Sequence, residues 1–398
     1  MGASLTNYPL ALTGRVIFGL GGESIGVAQS TLLALYFHGK EVALAMGINL
    51  SASRLGSVAN SNVTPAAYEA WGLALALWLS FVVCCVSLLA VILIALVEVY
   101  SGNQIKKSRT RSSSGEQPAL NDHNNNSDNK NANESTIKDF TEPEPTSSHV
   151  PTQFSDVKNF EISFWLLVVN CIAVYASIFP FYSNASSFLQ SPKYHLSIQG
   201  SGRIQSLPFI ISAFSTPFLG GFVDKFGHRV TMCIASAGFV LLAHLLLGFS
   251  QIHPAIPFII IGVGYSLYAS AFWPCIPFVV QQHLLGTAYG VVFSFQNGFL
   301  AVIQLIYAAI HTTDAYVWRE LFSATLSLFG IITGLVLWFV NKIHHGVLNL
   351  PSSEAAHILE QIRHDRVVQE DQQPLISRPD NASTPSPPPQ PSHTDDGL

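Results

Sequence analysis

The sequence predicts an all-α membrane protein that crosses the bilayer many times, and three observations carry that reading. Hydrophobic residues make up 49% of the 398 and charged residues only 11%, too apolar a balance for a soluble chain of this length, and the mean hydropathy is +0.36. The apolar residues fall into runs of about 20 or more, the length that crosses a hydrocarbon core as a helix. The charges inside those runs stand among glycine and serine, as in Gly21-Gly22-Glu23-Ser24 and Ser53-Arg54-Leu55-Gly56-Ser57, the setting of charges that face a helix interface. A net charge of −5, spread over loops and tails, argues for neither a nucleic-acid surface nor a strongly acidic one. All five cysteines lie in apolar segments rather than at bridging or metal-ligand spacing. No cleavable signal peptide is evident, because the first apolar run begins almost at once, lacks a basic lead-in and is long enough to span.

At about 20 residues per crossing the chain has about nine spans. They are 10–37, 43–63, 73–99, 164–182, 206–223, 230–249, 256–279, 288–310 and 321–340. In the first, Gly19, Gly22 and Gly26 fall at i, i+3 and i+7, a stripe along which another helix can approach closely. Glu23 sits beside it and is expected to face the bundle interior, since a carboxylate facing lipid costs about 3 kcal/mol on insertion scales. In the second, Ser57 and Ser61 follow Arg54 at i+3 and i+7, so Arg54 lies on a polar face. The third leads into a segment rich in Asn, Ser, Thr, Pro and Lys, which cannot bury a core and is expected to be disordered. The chain thus divides into a three-span bundle, 1–100, a linker, 101–160, a six-span bundle, 161–345, and a disordered tail, 346–398.

In the six-span part, Tyr265, Trp273, Tyr289 and Asn297 offer aromatic walls and amide polarity, although helix packing accounts for the aromatics equally well. Pro274 removes a helix hydrogen bond and is expected to kink its span near mid-membrane. Lys106, Lys107, Arg109 and Arg111 follow the third span, Lys225 and Arg229 the fifth, and Lys342 the ninth. All lie on one side of a nine-span alternation, and the positive-inside bias makes that side cytosolic, with the C-terminus there too. Asn125 and Asn133 then stay unglycosylated, while Asn62 and Asn184 lie on or near the opposite face, close to the membrane. In the tail, Asp371-Gln372-Gln373-Pro374-Leu375-Ile376 fits an acidic dileucine sorting signal read by clathrin adaptors.

Two motifs identify a family. Gly220-Gly221-Phe222-Val223-Asp224-Lys225-Phe226-Gly227-His228-Arg229 resembles the Gly-x-x-x-Asp-Arg/Lys-x-Gly-Arg/Lys-Arg/Lys loop of the major facilitator superfamily, with His228 replacing a base. Arg15-Val16-Ile17-Phe18-Gly19-Leu20-Gly21 is similar to the superfamily pattern Arg-x-x-x-Gly-x-Gly of the fourth helix of twelve. That resemblance implies a chain that begins at the fourth helix, with its linker after the sixth and the Asp224 loop between the eighth and ninth. Further strings resemble the lysosomal dipeptide-transporter branch of the superfamily. These are Gly19 to Ser24 with Ala28-Gln29, Gly39-Lys40-Glu41, Ser53 to Ser57, and Leu285 to Gly290 with Gln296-Asn297.

The branch resemblance implies a uniporter that exports dipeptides from the lysosome lumen by alternating access, without a cofactor. It implies that Glu23 binds the amino terminus and Arg54 the carboxylate of the substrate. It also implies a glycosylated single-span lysosomal membrane protein as accessory subunit. A permanent Glu23 bridge to Arg15 or Arg54 is the competing role for these charges. Competing functions are a non-transporting truncated form that binds a complete homologue or the glycosylated partner, and a superfamily transporter of another small organic solute.

Overall fold

The computed structural model describes residues 8–37, 41–113, 157–158, 160–310, 315–343 and 346–372. Every extended regular element among them is a helix: α1 (Tyr8–Tyr36), α2 (Val42–Ser113), α3 (Ile162–Gln190), α4 (Ile198–Phe226), α5 (Arg229–Phe249), α6 (Ala255–Phe272), α7 (Leu285–Ala309), α8 (Ala315–Ile343) and α9 (Ser352–Gln372), with short 3-10 turns between. Among the described residues, eight helical stretches are long and apolar enough to cross a membrane. One of them, Val42–Val97, has 56 residues, about 84 Å at 1.5 Å per residue, against a core of about 30 Å. It breaks at Gly72, whose φ of 78° and ψ of 174° are not helical, and so supplies two of the expected nine spans.

α3 to α8 form one packed bundle around polar tie-points. The Asn170 amide of α3 donates to the Gly330 carbonyl (2.8 Å) and the Thr333 hydroxyl (3.0 Å) of α8, and its oxygen accepts from Tyr268 of α6 (3.0 Å). Ser236 of α5 donates to the Gly264 carbonyl of α6 at 2.7 Å. Such bonds matter between apolar helices, because lipid is as apolar as leucine and removes the usual drive to bury it. The turn from α4 to α5 takes two left-handed residues, Gly227 (φ 72°) and His228 (φ 57°), which reverse the chain within the loop that carries Asp224.

α2 packs on α4 in antiparallel order at backbone distance. A Cβ on Gly220 would stand 2.3 Å from the Ala43 carbonyl oxygen, one on Gly47 2.5 Å from that of Thr216, and one on Gly202 2.4 Å from that of Ser61. Between these crossings the Ser51 hydroxyl donates to the Ala213 carbonyl. α1 is exposed from Leu12 to Ile25 and touches the bundle further along, where a Cβ on Gly26 would stand 3.6 Å from the Phe293 ring of α7 and one on Gly286 of α7 3.8 Å from Thr31.

Three sequence expectations change. The tail, expected without structure from 346, instead forms a 3-10 turn at Val347–Asn349 and then α9, because its backbone is hydrogen-bonded to the α4–α5 loop. Asp371 lies in α9, and Leu375 and Ile376 lie outside the described residues. The segment 101–160 begins helical, as α2 runs on to Ser113, and residues 114–156 are outside the description. Pro274 does not kink mid-span: with Pro277 it turns the end of the seventh expected span into the 3-10 helix Trp273–Phe278. The amides of Asn62 and Asn184 lie within α2 and α3, each donating to the carbonyl four residues back.

Gly220→Ala is expected to cost about 1 to 3 kcal/mol, because the added methyl meets backbone that cannot rotate away. Gly238→Ala, with nothing within 4 Å, is expected to leave stability unchanged or slightly raised. Thermal unfolding of the two variants in detergent checks the contrast.

Candidate functional site

The register of α2 on α4 decides where Arg54 goes. Ser51, Arg54, Ser57, Ser61 and Pro65 are the partly buried positions of a stripe at helical spacing that begins with buried Ala43 and Gly47. Arg54 lies about 18 Å along the helix from Val42, near the middle of a hydrocarbon core about 30 Å thick. There its guanidinium sits over the Tyr265 ring of α6, 4.6 Å from the centroid, and donates to the Tyr265 hydroxyl. Among the described residues its buried Nε–H has no partner, nor has the buried hydroxyl of Tyr182 on α3. The arginine therefore keeps donor capacity unspent, where an unmatched buried donor costs about 1 to 3 kcal/mol.

An aromatic wall continues from this point toward the far end of α6. Tyr175 of α3 packs edge-on to Tyr265 (centroids 6.2 Å) and Tyr268 (5.5 Å), and stacks on Phe179 (5.3 Å). The Trp273 indole N–H donates to the Tyr175 hydroxyl at 3.0 Å, and the Tyr289 hydroxyl donates to the Trp273 carbonyl at 3.3 Å. The Trp273 ring also stacks on Phe293 of α7 at 4.8 Å, and Phe293 is the ring that Gly26 of α1 approaches.

The second polar centre lies where α4 ends and α2 begins. The Asp224 carboxylate accepts from the backbone N–H groups of Ala43 (3.1 Å) and Leu44 (2.8 Å), the unpaired donors of the first turn of α2. A side chain of one helix set thus caps a helix of the other. Arg229 is buried over the Phe278 ring, 4.3 Å from its centroid, and donates to the carbonyls of Leu350 (2.8 Å) and Leu348 (3.3 Å). Lys225 is exposed, with its ammonium 5.3 Å from the Phe226 ring centroid.

The structure brings together Arg54 and Tyr265 directly, with Trp273 and Tyr289 one aromatic layer away. Asn297 instead turns back on its own helix, donating to the Phe293 carbonyl at 3.0 Å. Glu23 is exposed on the part of α1 ahead of its contact with α7, rather than facing a bundle interior, and among the described residues it pairs with neither Arg15 nor Arg54. Arg15, Gly19 and Gly21 lie on the same exposed part. Two shallow hollows of about 300 and 390 Å³ are lined by α7 (Ser294 to Val302) and α2 (Asn62 to Trp71) and contain none of these charges.

Sequence reasoning missed Tyr175, whose hydroxyl meets Trp273 98 positions away, and Tyr182, whose ring meets Phe209 and Phe258 on other helices, pairings that no local pattern announces. It also missed a buried pair, His244 of α5 with Glu320 of α8 at 2.7 Å. Beside that pair, in the connection between α3 and α4, Lys193 donates to the Leu247 carbonyl. Partial burial pulls the Lys193 ammonium below its ordinary range while Glu320 opposes the shift. Burial, and secondarily Glu320, push the Tyr194 hydroxyl up to about 12.

A charge held at mid-membrane, with one helix terminus capped across to the other set, is an arrangement that membrane transporters use. The chain belongs to the major facilitator superfamily, whose pattern it matches over residues 1–305. It is similar to proteins named lysosomal dipeptide transporter MFSD1. That of Gallus gallus is 33% identical over 359 residues, covering 88% of this chain and 73% of that protein. That of Homo sapiens is 29% identical over 368 residues (90% and 71%), and that of Danio rerio 31% over 362 (88% and 70%).

Proposed function

We propose that this protein is a lysosomal uniporter that moves dipeptides from the lumen to the cytosol by alternating access. The observation that carries the reading is the unspent donor capacity of Arg54 at mid-membrane, on the helix that joins the two sets. A dipeptide is a zwitterion with charged ends roughly 5 to 7 Å apart when extended. Its carboxylate fits a guanidinium that offers parallel donors and is fixed by an aromatic ring. Arg54 receives the carboxylate, Tyr265 orients Arg54, and the Tyr182 hydroxyl adds a third donor. Glu23, a carboxylate free of Arg15 and Arg54, takes the ammonium end when α1 closes on the site. Tyr175, Trp273 and Tyr289 form the wall that meets the side chains of the substrate, and Asn297 contributes from α7 once its helix shifts.

Asp224 holds the cytosolic end closed. Its hydrogen bonds to Ala43 and Leu44 are charge-assisted and act where the helix dipole is positive, so they favour the state in which α2 and α4 meet. Gly220 and Gly227 let the backbones approach there, Arg229 and Lys225 supply the basic side of the loop, and Arg15, Gly19 and Gly21 give α1 a face on which another helix can pack. Substrate need only bind the open and closed forms differently to drive exchange down its own gradient. The C-terminus lies in the cytosol, the accessory partner is a glycosylated lysosomal membrane protein, and the tail signal at Asp371, Leu375 and Ile376 is read by clathrin adaptors.

In proteoliposomes, Arg54→Ala and Glu23→Gln are each expected to lower kcat/KM for a free dipeptide by about 30-fold or more, the effect of stripping one partner from a buried charge pair. Unchanged uptake in either variant removes that residue from the site. Replacing Leu375 and Ile376 with alanine is expected to shift the protein to the cell surface, read by surface biotinylation. An unaltered lysosomal distribution would dismiss this signal.

A further inference from the structure

We infer that the segment after α8, Val347 to Ser352, is a third component of the closed end, and that Ser352 is a positioning residue that relays the charge of Arg229 to Asp224. The inference rests on the reading of the α2–α4 contact as a gate. Among the described residues no hydrogen bond or ion pair joins Arg229 to Asp224 directly. Ser352 stands between them: its hydroxyl donates to Asp224 Oδ1 at 2.5 Å and accepts from Arg229 Nη2 at 2.5 Å. A hydroxyl has one proton and two lone pairs, so it can serve both at once. Ser352 is 2% exposed and Arg229 fully buried, so the Arg229 end of this chain of charge-assisted bonds is shielded from water, while Asp224 is half-buried.

The rest of the segment is fitted around the loop to hold that hydroxyl in place. The Asn349 carbonyl accepts from the His228 N–H at 2.9 Å, and the Asn349 side-chain oxygen accepts from the Val230 N–H at 3.0 Å. Gly227 leaves no room for a side chain, since its Cβ would lie 2.3 Å from the Asn349 oxygen. Within the segment, the Leu348 N–H donates to Asn341 Oδ1 of α8 at 3.1 Å. The end of α8 is thereby tied to the loop and, through Ser352, to the carboxylate that caps α2. When the two sets separate at this end, Asp224 loses the N–H groups of α2. Ser352 sets how well that carboxylate is aimed beforehand.

The test reads gate opening without substrate, so a failure of the dipeptide reading leaves it unaffected. Ala34, fully buried near the end of α1, is replaced by cysteine in a background with exposed Cys84 and Cys85 changed to serine, and its alkylation rate in the full chain reports the open fraction. Ser352→Ala is expected to raise that rate about 5- to 10-fold, the effect on the gate of taking from Asp224 the hydroxyl that aims it. Asp224→Asn should raise it at least as much. The double variant should match Asp224→Asn alone, because both substitutions act on one path. Ser352→Thr, which keeps the hydroxyl, should stay within about twofold of the unaltered protein. An unchanged rate in Ser352→Ala, factors that multiply in the double variant, or a threonine variant as fast as the alanine one would each overturn the inference.

Discussion

The backbone-to-backbone approach of α2 and α4 is the constraint on which the rest of this structure depends. Two helices in lipid gain little by burying leucine against leucine, so their association relies on close packing and on polar groups that meet. Here Gly220, Gly47 and Gly202 let carbonyl oxygens come where a methyl would stand, at three points spread along the contact. A contact pinned at three points has one register. That register sends Ser51 to the Ala213 carbonyl, sets Arg54 beside Tyr265 one turn further on, and brings the first turn of α2 to Asp224.

The same helix therefore serves two polar tasks at two depths, and they differ in how fully their hydrogen bonds are met. At the end of the helix the Asp224 carboxylate accepts from Ala43, Leu44 and Ser352, which suits a latch whose purpose is to favour one state. At mid-membrane Arg54 has, among the described residues, a single side-chain partner and a buried Nε–H without one. A structural ion pair would have been completed within the protein. On the proposed reading Arg54 is an anion site left incomplete, and the free energy recovered by completing it is available for binding.

Much of this was legible in the sequence, and what was not has a physical reason. Arg54 could be read because a charge in an apolar run is costly, and Ser57 and Ser61 at i+3 and i+7 mark the face it shares. Asp224 could be read because its loop is a local pattern of glycines and bases. The spans followed from apolar run length, apart from the merged helix that Gly72 divides. By contrast, Tyr175 and Ser352 are common residues whose roles arise from partners 98 and 123 to 128 positions away. Nothing in their neighbours distinguishes them. The tail misled for a related reason: a composition poor in apolar residues argues against a core of its own, yet hydrogen bonds to a preformed loop are enough to order its first part. Pro274 misled because proline fixes where a helix hydrogen bond is lost and not how deep in the membrane that point falls.

Binding to the purified protein, measured by ligand-induced thermal stabilisation with a free dipeptide and with the same dipeptide carrying a C-terminal amide, tests the central claim most directly. If the unspent donors of Arg54 receive the carboxylate, the amide binds at least about 10-fold more weakly to the unaltered protein, and the two ligands bind alike to Arg54→Gln. An amide that binds as tightly as the free dipeptide would contradict the assignment of Arg54 to the substrate carboxylate.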